Sequence, residues 1–519
     1  MSDEHTSALP QLRPEPAPRG RRSLLAVVGS VVAVVLIAGG GYAAWQFFAG
    51  GGPRPAEVLP ATTFALVTVD LNPSGGQKVE AIKTLREFPS WKKRTGITPD
   101  SDVIKAIFDE VTKDGPCTSL DYEQDIKPWI GNRAGLGGVR LGDGKVAPVL
   151  ALQVEDREKA RSGFAELVRC GEPSESQFGF TTTDDYVIAS DSTAHAEAIA
   201  SAGHDKPLSE DGDFQTWTEE VGGPGIVNAY LGPQSVEVLK ESSASGLDEL
   251  TGGDPATRNQ LADAFKEFKG AAAGLRFNDG GIELAFAGGG AADENATTVG
   301  RGVGDLPADT AAVLALAVPQ KQMDKLKASG DDADSLLSMA RMFTDGTGLE
   351  LPDDLITLLG DSLSVSVGGD APASLDDVSS PADLPIGLLI HGDETRIQDV
   401  VSRVEARTGA RLADLPATLA ARDGKVAISS SDAYAADLLA DGSLADTRAY
   451  QDVITHAGEA QAILYVSLQN KWVDVLDGAG GNYKEAEEVA KNLAVLRSFG
   501  ISAWSEGSTG HGLVRLSLR

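Results

Sequence analysis

Two stretches of this chain run in one register: PVLALQVEDREKARSGFAELV from Pro148 and PIGLLIHGDETRIQDVVSRVE from Pro385, with Asp156 and Asp393 separated by 237 residues. The same offset relates SVEVL, Ser235 to Leu239, to WVDVL, Trp472 to Leu476. Looser echoes join LPATTFALVTV from Leu59 to LPADTAAVLAL from Leu306, DYVIAS from Asp185 to GKVAISS from Gly424, and IELAF from Ile282 to LVRLSL from Leu513. A chain that repeats itself at long period builds one architecture twice. The reading is two homologous units, residues 57–290 and 305–519, joined by a Gly-, Ala- and Asp-rich linker over 291–304.

Each matched segment reads as a strand, a capping Asp and a helix, with Asp156 and Asp393 as N-caps. Alternation such as ALVTVDL, Ala65 to Leu71, suits a sheet with one face buried. The expected fold class is α+β: in each unit a largely antiparallel sheet with helices packed on one face.

Ahead of the units lies a second constraint. Ser23 to Phe48 contains no charged residue, and the 21 positions from Leu24 to Ala44 reach about 31 Å as a helix, the thickness of a bilayer core. Arg19, Arg21 and Arg22 precede the run, and Tyr42, Trp45, Phe47 and Phe48 close it. Positive charge on one flank and aromatic rings on the other predict a single transmembrane helix over 23–48 with the N-terminus cytoplasmic. Residues 1–22 then form a cytoplasmic tail too short to fold, and 49–56 a linker to the extracytoplasmic bulk. A cleaved signal peptide with Gly41 and Ala43 before the cut is the competing reading; the length of the run and its aromatic end favour the anchor.

Charge narrows the partners. Four arginines against three acids leave the first 23 residues at +1, so the remainder of a chain at −31 carries about −32. A field of that sign excludes nucleic acid as a partner. Cys117 and Cys170 are the only two cysteines, and outside the cytoplasm such a pair is expected to form a disulfide, two unrelated buried thiols being the alternative.

No constellation of residues supports catalysis. Gly360-Asp361-Ser362-Leu363 resembles the nucleophile block of the GDSL hydrolases, but a Ser needs a His held by an Asp, and neither Asp452 with His456 nor Asp191 with His195 has that family's spacing. Within the repeat, Gly360-Asp361-Ser362 matches Gly131-Asn132-Arg133, which makes the position a strand-entry turn. Ser90 to Lys93 satisfies Ser-x-x-Lys without a Lys-Thr-Gly partner, and Gly138 to Lys145 has the spacing of a hairpin and not of a phosphate loop. The histidines lack metal-ligand spacing. The acids at Asp331, Asp332 and Asp334 and at Asp353 and Asp354 lack a calcium loop with its closing Glu. Trp91, Trp129, Trp217, Trp472 and Trp504 could line a carbohydrate groove, although Trp129 matches Leu358 and reads as core. No metal and no cofactor is expected.

The LP strand starts, Lys127-Pro128-Trp129-Ile130-Gly131-Asn132-Arg133, the ALQVEDREKA strand and helix, and the cysteine pair together resemble an actinobacterial group of membrane-anchored proteins known only as a domain of unknown function. The resemblance implies an envelope location and a duplicated outer domain, and no catalytic residues. The expectation is a non-enzymatic single-pass membrane protein that binds or scaffolds an envelope protein or ligand. The rivals are a serine hydrolase at Ser362 and a ligand or cation sensor signalling through a partner.

Overall fold

A computed structural model describes residues 53–71, 75–89, 103–112, 117–170, 178–241, 266–278, 280–290, 297–319, 323–324, 344, 346–372, 378–380, 383–411, 417–469 and 492–519. The apolar run over 23–48 lies outside them. Among the described residues no helix is long and apolar enough to cross a membrane.

The strands are β1 (Thr63–Asp70), β2 (Ile130–Arg140), β3 (Val146–Val154), β4 (Gly179–Thr182), β5 (Tyr186–Ser190), β6 (Val227–Leu231), β7 (Gly270–Asn278) and β8 (Gly281–Gly289). They continue as β9 (Ala312–Ala317), β10 (Ser362–Val367), β11 (Ile386–His391), β12 (Thr418–Arg422), β13 (Lys425–Ser429), β14 (Ala462–Ser467), β15 (Leu496–Glu506) and β16 (Thr509–Leu518). The helices are α1 (Gly75–Arg86), α2 (Val103–Thr112), α3 (Arg157–Cys170), α4 (Thr193–Asp205), α5 (Gly212–Glu220) and α6 (Ser235–Glu241). They are followed by α7 (Gly300–Gly304), α8 (Asp353–Leu359), α9 (Glu394–Thr408), α10 (Asp432–Leu439) and α11 (Arg448–Gln451).

Among the described residues sixteen strands join one sheet in the order β12-β13-β11-β10-β9-β14-β15-β16-β8-β7-β6-β1-β2-β3-β5-β4. Read outward from the central β16/β8 pair, each side has the same sequence of elements: last hairpin, sixth strand, first, second, third, fifth and fourth. The halves meet through β8 and β16, which pair antiparallel from Gly281↔Ser517 to Gly289↔Thr509 with Ala285↔Leu513 at the centre. Such pairing is self-complementary, as in a two-fold dimer interface. The flanking hairpins close on Asn278↔Gly281 and Glu506↔Thr509, so Ile282 corresponds to Gly510. The sequence echo that set IELAF against LVRLSL is therefore three residues out of register, an odd slip that exchanges the two faces of a strand.

Local sequence explains the element starts. Leu59 and Leu306 are fully buried, and three residues past each following proline a threonine hydroxyl turns back onto it: Thr63 Oγ1 donates to the Pro60 carbonyl and Thr310 Oγ1 to that of Pro307, each at 2.7 Å. The Asp156 carboxylate accepts from Lys159 N at 3.0 Å and that of Asp393 from Arg396 N at 3.1 Å, the expected caps. Ser192 and Ser431 cap α4 and α10 in the same way.

At strands such as β5 and β11 helices pack on both faces, not on one as anticipated, while β8, β9 and β10 keep the anticipated alternation of buried and open positions. Adjacent residues in β5 show it: Ile188 packs with Ile199 of α4 and Trp217 of α5, while Val187 packs with Phe164 of α3 and Trp129. In the second half Leu389 lies among Tyr434 of α10 and Tyr450 of α11, while Ile390 meets Ile397 of α9. The alternating pattern that suggested one buried face is absent from these strands; β5 is buried at all five positions. Both stretches read as linkers are partly structural. Pro55 and Ala56 are buried in a short helical turn, and the 291–304 segment ends in α7, whose Val303 enters the second-half core.

Candidate functional site

On the Ile188 face of the first half, a cleft of about 230 Å³ opens between β1, β6, α5 and the turn at Pro55–Glu57. Pro55, Leu66, Phe214, Val221, Pro224 and Tyr230 supply its apolar walls. Three cross-strand pairs bring side chains to its floor: Leu66↔Tyr230 and Thr68↔Asn228 between β1 and β6, and Asp70↔Arg133 between β1 and β2. Arg133 Nε donates to Asp70 Oδ2 at 3.0 Å, with only 12% and 16% of the two side chains exposed. Asn228 is fixed by its own loop, accepting from Gly225 N at 2.6 Å and donating to Gly225 O at 3.1 Å. The Tyr230 ring meets Phe214 edge-on at 5.0 Å, and burial pushes its phenol above the ordinary range, so it stays neutral. Arg54, Glu57 and Glu219 complete the charged lining. Two guanidinium groups face three carboxylates.

The second half fills the same place. Strand register equates Leu66/Tyr230 with Val313/Tyr465, Thr68/Asn228 with Ala315/Ile463, and Asp70/Arg133 with Ala317/Ser362. Val313, Ala315, Ile463 and Tyr465 are all in its hydrophobic core, and the Phe214–Tyr230 contact becomes Tyr450 on Tyr465 at 5.4 Å. The polar cleft thus belongs to the first half. No catalytic or metal-binding motif marks its residues, which are scattered, although Arg133 ends the Lys127–Arg133 segment that carries the family resemblance; a further signal is the internal echo that sets Asp70 against Ala317.

Ser362, the hydrolase candidate, sits 7% exposed on β10, at the position of Arg133 as the repeat predicted. Its cross-strand partner is His391, whose other neighbour is Lys425. No His in the sequence follows an Asp by three residues, and the pairing of His391 with Ser362 arises instead from antiparallel register with the next strand. Among the described residues no hydrogen bond joins Ser362 to His391. Burial, with Lys425 adding to it, lowers the His391 pKa from 6.5. The folded state then binds its proton less readily than the unfolded chain, so stability falls as pH drops through 6.5 and levels below the folded pKa. His391→Gln is expected to unfold with a shallower loss of stability over that acid window than the parent, measured by urea midpoints; an unchanged slope would show the imidazole to be solvated.

The other candidates separate. Asp191 accepts from Ser190 Oγ at 3.2 Å and lies 2.5 Å from His195 Nδ1, which places the carboxylate between Ser and His, whereas nucleophile activation needs the His between them. Gly142, Asp143 and Gly144 form the β2–β3 hairpin turn, as read. Asp354 is buried against Arg403 at 2.5 Å, a structural ion pair. Asp331, Asp332, Asp334, Ser90, Trp91 and Trp472 lie outside the described residues. Trp129 is 1% exposed core, with Nε1 donating to the Asp125 carbonyl, and Trp217 Nε1 donates to that of Lys269. Trp504 is stacked between His456, at 4.0 Å, and His511, at 5.3 Å, an arrangement that spacing did not foretell. Among the described residues no group of three His, Cys, Asp or Glu could hold a metal ion. Cys117 and Cys170 are disulfide-bonded, with Cα atoms 5.1 Å apart.

A family model described as a protein of unknown function (DUF3352) matches residues 27–374, from inside the apolar run through the whole first half and past β10. No curated protein and no solved structure matches the chain.

Proposed function

Because the chain belongs to the DUF3352 family, whose match begins within the apolar run, we propose that it is a single-pass membrane protein of the cell envelope that binds a small ligand in the cleft of its outer, duplicated part. The observation that carries the reading is the cleft itself: three polar or charged residues, Thr68, Asp70 and Asn228, line it where the sister half has Ala315, Ala317 and Ile463. Polar side chains kept at core positions cost stability unless they serve a ligand or a specific network. The repeated eight-strand order on either side of β8 and β16 supports two homologous units. The arginines at 19, 21 and 22, the uncharged run and the disulfide together support an extracytoplasmic bulk. The actinobacterial origin rests on the sequence resemblance.

Two measurements test it. Protease added to intact cells should remove the bulk of the chain and leave a fragment of the first fifty or so residues, whereas digestion only in inside-out vesicles would reverse the topology. Native mass spectrometry of the full chain in nanodiscs should show a retained small molecule that is lost in Thr68→Ala/Asn228→Ile, the variant that copies the second half. Equal retention by both would remove the cleft as the site.

The pairing of Ser362 with His391 favours a second reading, a hydrolase at that serine. A fluorophosphonate probe distinguishes the two: no labelling that depends on Ser362 is expected, and labelling abolished by Ser362→Ala would establish the enzyme.

A further inference from the structure

The cleft is held close to the expected bilayer by its own wall. The Tyr186 hydroxyl donates to the Pro53 carbonyl at 2.8 Å, and Pro55 and Ala56 are buried, so the residues that first follow the apolar run are stapled into the cleft lining. From Phe48 to Pro53 the chain spans five residues, at most about 18 Å when fully extended. The headgroup layer occupies about 5 to 8 Å of that distance. The wall of the cleft at Arg54 to Glu57 therefore stands within about a dozen ångströms of the lipid headgroups.

Resting on the membrane-anchored binding reading above, we propose that the cleft takes one end of an amphiphile drawn from the outer leaflet, with a headgroup that carries no net negative charge. Size, polarity and charge lead to this class together. A volume of about 230 Å³ corresponds to roughly eight water molecules, too little for a two-chain lipid and enough for a headgroup with its nearest carbons. Leu66, Phe214 and Val221 offer apolar contact, while Asp70, Arg133 and Asn228 offer both signs of charge and an amide. Arg54 and Arg133 against Glu57, Asp70 and Glu219 leave the lining net negative, as is the protein at −31, which repels an anionic head and accepts a zwitterionic or uncharged one.

The test uses the full chain in nanodiscs doped with one of two photoactivatable diazirine lipids, a phosphatidylcholine or a phosphatidylglycerol, and in a third arm a soluble diazirine glycerophosphocholine without chains. Crosslinked peptides are mapped by mass spectrometry. The phosphatidylcholine should label peptides spanning 54–70 and 209–230, with labelling falling about tenfold in Phe214→Ala and in Thr68→Ala/Asn228→Ile. The equivalent second-half peptides should stay unlabelled. Equal labelling by the phosphatidylglycerol, labelling by the soluble probe alone, or no cleft labelling from either lipid would each overturn the proposal. Exchange protection of β1 and β6, followed on the same variants, shows that they remain folded. If protease topology holds and native mass spectrometry still finds a cleft ligand, failure here removes only the lipid assignment; if topology fails, the anchored reading falls with it.

Discussion

Glu283→Ala is expected to lower the unfolding free energy by about 3 to 5 kcal/mol, because it strands two guanidinium groups at the join between the halves. Glu283, 8% exposed on β8, lies between its cross-strand neighbours: Arg276 Nη1 is at 3.3 Å and Arg515 Nε at 3.6 Å. Their side chains are 15% and 12% exposed, so solvent screens the pair little. The Nε and Nη2 atoms of Arg276 have no other hydrogen-bond partner, and loss of the carboxylate leaves that buried cation without compensation. Replacing all three by methionine should cost much less, since the desolvation of the charges disappears with them. Equilibrium urea unfolding measures both variants. A loss below about 1 kcal/mol in Glu283→Ala would show that the triad is hydrated and that backbone pairing alone joins β8 to β16.

That triad also shows where sequence reading ends. By hairpin register the two-fold counterparts of Arg276, Glu283 and Arg515 are Trp504, His511 and Ala287: one end of the seam is closed by ions, and the other by stacked rings. Local signals identified what each half contains. The Leu-Pro starts, the Asp156 and Asp393 caps and the paired strand and helix at Pro148 and Pro385 depend on neighbours within a few residues, and a periodic pattern records them. The union of the halves into one sheet depends on Gly281 meeting Ser517, a pairing that leaves no local trace. The two-faced burial was hidden for a related reason. Strands such as YVIAS are apolar up to the closing Ser190, and an uninterrupted apolar run does not say how many layers cover it.

The cleft was legible in principle and overlooked in practice. Thr68, Asp70, Arg133 and Asn228 sit on three strands, each flanked by ordinary β residues, and none belongs to a catalytic or metal-binding motif, although Arg133 ends the Lys127–Arg133 segment that carries the family resemblance. Aligning the halves shows the anomaly, because ALVTVDL faces AVLALAV and the charge at Asp70 falls on Ala317. The same alignment placed Ser362 opposite Arg133 correctly while missing His391, since pairing across β10 and β11 depends on the reversal of strand direction. Departures between the two halves of the sheet thus mark the cleft, which similarity to known chemistry does not.

Reduction of the Cys117–Cys170 disulfide is expected to remove about 4 kcal/mol of stability, and to remove it from the first half alone. The bond closes a loop of sequence separation 53 that contains β2, β3 and most of α3, so on the chain-entropy account it restricts the unfolded state strongly. It also ties the end of α3 to the segment following α2, beside the Phe108–Tyr122 contact at 5.8 Å and the Trp129–Phe164 contact at 6.5 Å. The second half has Arg407 at the position of Cys170, and a Cβ added to Gly348 would come within 2.9 Å of its Cγ. Side-chain packing there replaces a covalent bond, and reducing agent leaves it untouched. Hydrogen exchange followed with and without dithiothreitol should therefore lose protection in Arg157–Cys170 while Glu394–Thr408 keeps its own, and Cys117→Ser/Cys170→Ser should reproduce the reduced profile. Equal loss in both helices would mean that the seam makes the two halves one cooperative unit. Loss in neither would mean that α3 is held by its apolar face, with Ala160 and Phe164 sufficient without the bond.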